Sequence, residues 1–204
     1  MIFECCLRVF CTMNAVWCLW ISGCKAEHGD SKIGQVAAAT ERSPLADSLR
    51  GRVTRVLKTR VVTRDDVDSI VSAFATNENL TRGPFPENEA DDKLFYRFID
   101  FMGRQVRSDS LVVLMIIKLS YIVWTNAEYG GALTELVPSS ILANVEVFLS
   151  AFRALSPLEE EYIIGVMNDF NSDENSKFIS ELTRLETSSH RDEAVYLLQH
   201  INKR

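Results

Sequence analysis

Residues 111–124, LVVLMIIKLSYIVW, are apolar on almost every face, and this run constrains the fold more than any other part of the chain. A helix that is hydrophobic all round belongs either in the middle of a domain or in a bilayer. Its 14 residues, with Lys118 in the middle, fall short of the roughly 20 predominantly apolar residues that a spanning helix needs. The run is therefore expected to be the central buried helix of a globular domain, capped by Ser108 or Asp109. The remainder of the chain has to supply enough amphipathic helices to enclose it.

Those helices are legible in the spacing. Leu45, Leu49, Val53 and Val56-Leu57 mark one face of a first helix, and Val67, Ile70, Val71 and Phe74 mark a second. Thr63 with Asp66 reads as a capping box at the start of that second helix. A breaker-rich loop, Thr76 to Asn88, precedes a third helix carrying Leu94, Phe95, Phe98, Phe101, Met102 and Val106. After the central run, Gly130-Gly131 is expected to end that region, followed by a short helix near 132–137 and another over 140–154. Ser156-Pro157-Leu158-Glu159 is a start signal: Ser caps, Pro takes the first helical position and Glu reaches back. Two more helices are expected near 174–185 and 192–201, and no run of alternating residues argues for a strand. The expectation is an all-α single domain over residues 44–204, with about seven or eight helices packed as antiparallel hairpins.

A weak echo adds an alternative. Residues 148–155, FLSAFRAL, resemble residues 178–185, FISELTRL, and a second helix follows each copy. Helical hairpins repeated in this way resemble the units of a short, HEAT-like α-solenoid, although two copies are fewer than a stable array wants.

Charge and cysteine narrow the function classes. The net charge is −6, so the basic balance of a nucleic-acid-binding domain is missing and no such partner is expected. The imbalance is local: from Glu41 to Arg64 seven cations face two acids, while from Glu135 to Glu193 twelve acids face four cations. The basic stretch suits either anionic lipid headgroups or a solvated helix face that complements the acidic half. All five cysteines lie within the first 24 residues, which leaves the body without a disulfide framework or a thiol nucleophile.

Residues 1–23 have a short start with one cation, Arg8, then a largely apolar run from Val9 to Ile21, then Ser22 and Gly23. That is the layout of a secretory signal. Ile21-Ser22-Gly23-Cys24 resembles the lipobox of bacterial lipoproteins. The resemblance covers only this segment, and it implies diacylglyceryl transfer to the Cys24 thiol, cleavage before it and acylation of the new amino terminus. Residues 24–43 would then be the lipidated cysteine and its tether. Lys25, rather than Asp, follows the cysteine, which by the same resemblance implies the periplasmic face of the outer membrane in a Gram-negative source.

Candidate chemistry is sparse. Asp169, Asn171, Asp173 and Asn175 place oxygens at the first, third, fifth and seventh positions of an EF-hand-like loop. Glu174 stands where the turn needs Gly, and Ser180 where the bidentate Glu should be, so a polar loop of capping residues competes with a calcium site. His28, His190 and His200 have no metal-ligand spacing, and no cofactor is expected. Ser/His or paired-carboxylate catalysis stays open, because such groups converge from distant positions. Phe85, between two prolines on the long loop, is the candidate contact residue. The expected function is an envelope lipoprotein that binds another protein, as an adaptor or as an immunity protein against an envelope-acting toxin. The alternative is an envelope hydrolase acting on cell wall or lipid.

Overall fold

The computed structural model describes residues 44–75, 89–123 and 129–201. Cys24, the tether and Phe85 lie outside the described residues. The described residues form nine helices and no strand: α1 Pro44–Thr59, α2 Arg64–Ala75, α3 Glu89–Gln105, α4 Ser110–Val123, α5 Tyr129–Ala143, α6 Val145–Phe152, α7 Pro157–Asn168, α8 Ser172–Leu185 and α9 Arg191–Ile201. The described residues belong to one compact unit.

The apolar run lies at the centre. Nine residues of α4 are buried, Val112 to Ile117 without interruption and then Leu119, Ser120 and Val123. Fully burying one large aliphatic side chain is worth about 1.5–3 kcal/mol, so this helix alone accounts for a large share of the hydrophobic gain. Asp109 starts it by accepting from Leu111 N at 2.9 Å and Val112 N at 3.4 Å. Around α4 pack α2, α3, α5, α6 and α7. The first three helices pack on one another, and Phe95, Phe98 and Phe101 of α3 are buried on a single face.

The echo is visible in space, because α6 packs on α8 and α7 on α9, with the Phe148 and Phe178 rings 6.0 Å apart. Yet a solenoid unit meets only its neighbours. A central helix that touches five others makes this ordinary globular packing.

Two boundaries differ from the sequence expectation. Gly130 and Gly131 lie inside the first turn of α5 and do not end a helix. That helix also continues through Pro138, which lies in the gap between the helices expected near 132–137 and 140–154. Pro138 removes the backbone bond to the Thr134 carbonyl, and the Ser139 and Ser140 hydroxyls donate within the same helix to the carbonyls of Leu136 and Val137, both at 2.8 Å. The chain instead breaks at Asn144, bending by 115°. Asn144 Oδ1 accepts from Glu146 N and Val147 N, and its amide donates to the Arg107 carbonyl at 3.0 Å. One side chain thereby starts α6 and ties it to the turn that follows α3.

Arg60 closes α1 with φ 58°, donating its N–H to Val56 O at 2.8 Å. This left-handed position normally favours glycine. Three residues later the Thr63 capping box starts α2.

Candidate functional site

The core helix carries two polar side chains inward, and both meet α7. Lys118 Nζ donates to the two carboxylate oxygens of Glu159 at 2.8 and 2.9 Å. Glu159 is the capping-box carboxylate of α7 and accepts from Ser156 N at 2.7 Å. Burial works to raise the Glu159 carboxyl. Hydrogen bonds from Lys118 and from Ser156 outweigh it and hold the group below the usual carboxylate range. Two residues along α4, the Ser120 hydroxyl lies 2.7 Å from the Tyr162 hydroxyl of α7 and 3.4 Å from that of Thr134 on α5.

An amine, a carboxylate and three hydroxyls thus come together around α4, which is the inventory a hydrolase would use. Each is engaged by another member of the seam. Ser120 has no exposed surface, and neither it nor Lys118 nor Glu159 lines any of the grooves described below. The arrangement fastens α4, α5 and α7 together.

The EF-hand-like positions fall at the turn between α7 and α8. Asp169 caps the end of α7, and Asn171 is the N-cap of α8. The Asn171 side-chain oxygen accepts from Asp173 N at 3.1 Å and Glu174 N at 3.0 Å, while Glu174 reaches back to Asn171 N at 3.1 Å. Asn171 thus spends its oxygen on the helix start. Asp173 and Asn175 lie in the first turn of α8. No group of three or more His, Cys, Asp or Glu residues among those described is placed to hold a metal ion. His190 precedes α9 and His200 lies in its last turn, the latter's ring tilted against that of Tyr196 with centroids 4.1 Å apart.

The basic stretch is partly consumed within its own half of the domain. Arg50 forms a two-pronged pair with Asp91 of α3, both bonds 2.7 Å, and Arg55 pairs with Asp66 of α2. These acids are not those of the acidic C-terminal half. There, Arg153 reaches Glu193 of α9, and Arg184 of α8 bridges Glu146 of α6 at 3.0 Å and Glu181 at 2.9 Å. The hydrogen bond from Arg153 holds the Glu193 carboxyl below its ordinary range, against the opposing pull of burial.

Two open grooves flank the C-terminal helices. One, of about 770 Å³, lies where the α5–α6 corner faces α8 and is crossed by the Glu146–Arg184 pair. Lys177 and Arg184 there balance Glu146 and Glu181. The other, of about 430 Å³, lies between α4 and α7. Its floor is Tyr121, Leu158, Tyr162, Gly165 and Val166, and its acidic members are Glu161 and Asp169. The Tyr121 and Tyr162 rings sit 5.7 Å apart, and the Tyr162 hydroxyl is anchored inward on Ser120.

Helix α7 offers the core a narrow stripe of Glu159, Ile163 and Met167. Leu158 is left outside it, with 63% of its surface exposed. The sequence reading did not single out this surface. Its one local signal is a glycine in the middle of a helix whose start is unmistakable. Compared with known protein families, curated proteins and solved structures, the chain matches none.

Proposed function

We propose that this chain is a lipoprotein of the bacterial envelope, held at a membrane through Cys24, whose helical domain works by binding another protein. The observation that carries this reading is the outward apolar face of α7, where Leu158 and Tyr162 stand beside Tyr121 on a rigid helical scaffold. Exposed apolar surface rimmed by polar residues is a mark of protein contact sites and ligand-binding grooves. The lipobox-like Ile21-Ser22-Gly23-Cys24 supplies the location. Two acyl chains or more hold a protein at a membrane durably, since each buried CH₂ contributes about 0.8 kcal/mol. Lys25 favours the outer membrane in a Gram-negative source. The polar seam supports binding over hydrolysis, because Lys118 and Glu159 satisfy each other, Ser120 is engaged by the Tyr162 hydroxyl, and none of Lys118, Ser120 and Glu159 lines a groove. Adaptor and immunity roles both fit this description.

The test is affinity capture of the full chain from the envelope with a C-terminal tag. The expected result is a stoichiometric protein partner and a mature chain beginning with acylated Cys24; a toxin as that partner would assign the immunity role. A native chain that retains Met1 and an unmodified Cys24 thiol would remove the lipoprotein reading. The absence of any stoichiometric partner would remove the binding one.

A further inference from the structure

Of the two C-terminal grooves, the one between α4 and α7 is the better built for a ligand. The α5–α6/α8 groove is spanned by an ion pair and its charges cancel. The α4–α7 groove has an apolar and aromatic floor, and neither Glu161 nor Asp169 is engaged in an ion pair among the described residues. These two carboxylates are eight residues apart on one helix, so about 12 Å separates them along its axis.

Gly165 lies midway between them. A Cβ built there meets nothing within 4 Å, so no packing inside the fold calls for glycine at that position. Glycine is also the poorest residue for a helix interior after proline. A bare helix backbone facing open space, beside an exposed leucine and two tyrosine rings, is what a partner's side chain needs for close approach.

We propose that this groove is the docking site for a basic, amphipathic helix of the partner protein. The proposal rests on the binding reading above and names its surface and the chemistry of its occupant. An apolar side chain of that helix lies over Gly165 between Tyr162 and Val166, and cations about two turns apart meet Glu161 and Asp169. Charge complementarity selects this occupant: an acidic ligand would bring like charge against both rims, whereas a basic one would be steered toward them.

The test places a photo-crosslinking benzoylphenylalanine at Leu158 in the full-length chain in its native cells, with the same residue at exposed Tyr96 of α3 as a control. The expected adduct joins Leu158, and not Tyr96, to a partner peptide carrying Lys or Arg within four residues on either side of the linked position. Gly165→Leu should cut its yield at least tenfold without lowering the melting temperature. Glu161→Lys with Asp169→Lys, both exposed positions, should do the same. An adduct between two copies of this chain, one to a peptide without cations, one that survives Gly165→Leu, or no adduct at all overturns the proposal. If a stoichiometric partner is still captured in those cases, the binding reading stands and only the groove falls. If capture fails as well, both fall.

Discussion

Helices α2 and α7 begin in the same way and are fastened differently. In each, a carboxylate three residues past the cap reaches back to the cap residue's backbone N–H: Asp66 to Thr63 N at 2.9 Å, and Glu159 to Ser156 N at 2.7 Å. In each, a cation from a neighbouring helix takes the other side of that carboxylate, Arg55 of α1 for Asp66 and Lys118 of α4 for Glu159. The cations differ in where they sit. The Arg55 side chain keeps 43% of its surface in water, whereas Lys118 keeps 16%. A local start signal has thus become a tertiary fastener twice, each time on a buried carboxylate, once with a cation that reaches the surface and once with a cation held against the core. The consequences of breaking the two should not be equal, because a stranded arginine can turn to solvent and a stranded lysine in the middle of α4 cannot.

The largest effect is therefore expected at α7. Glu159→Ala leaves Lys118 without its partner and should cost about 3 kcal/mol of unfolding free energy. Asp66→Ala loses a cap and a pair whose arginine can turn to solvent, and should cost about 2 kcal/mol. Urea unfolding of the two variants checks the order, and an Asp66 variant weaker than the Glu159 variant would reverse the comparison.

Acid should break the α7 fastener without mutation. The Glu159 carboxyl is held below its ordinary value in the folded chain. Its contribution is accordingly complete above the unfolded carboxyl's pKa, about 4.3, and is lost as pH falls through the lower folded value. Glu159→Gln should flatten the stability curve below about pH 4.5 relative to the parent, and an unchanged slope would show that this carboxylate is not linked to folding.

The start of α8 sharpens the contrast from the other side. Asn171 and Glu174 form a capping box whose carboxylate has no ion pair among the described residues. Glu174→Ala should therefore cost only about 0.5–1 kcal/mol, the worth of the cap alone. A loss as large as that of Glu159→Ala would mean that the cross-helix cation adds nothing at α7.

The caps were legible in the sequence because a capping box is a four-residue signal. Thr63/Asp66 and Ser156/Glu159 both sit where the spacing puts them. Their cations were not, since Lys118 and Glu159 are 41 positions apart and only packing brings them together. The central helix was legible from its all-round apolarity, which leaves it nowhere else to go. The break at Asn144 was missed because helices expected near 132–137 and 140–154 leave their gap at Pro138, which α5 runs through. The α4–α7 groove follows the same logic as the cations. Tyr121 and Tyr162 approach only in the fold, and of the whole floor Gly165 alone leaves a local trace.

Gly165 gives a stability change as small as that at Glu174 and of opposite sign. With open space above it, Gly165→Ala should raise stability by about 0.5–1 kcal/mol, the ordinary helix-propensity gain. Destabilisation on thermal melting would show that the position is constrained by the fold and not kept bare for a ligand.

The division between buried fastener and surface groove is tested most directly by partner capture with two full-length variants side by side. Lys118→Met with Glu159→Gln removes the buried charge pair while keeping a side chain that can cap Ser156, and such a swap often leaves stability within about 1 kcal/mol of the parent. Gly165→Leu fills the groove and leaves the seam untouched. The expected result is that the first variant stays folded and still captures the partner, while the second stays folded and loses it. Loss of the partner by the folded Lys118→Met/Glu159→Gln variant, with capture intact in Gly165→Leu, would place function in the polar seam and contradict this assignment.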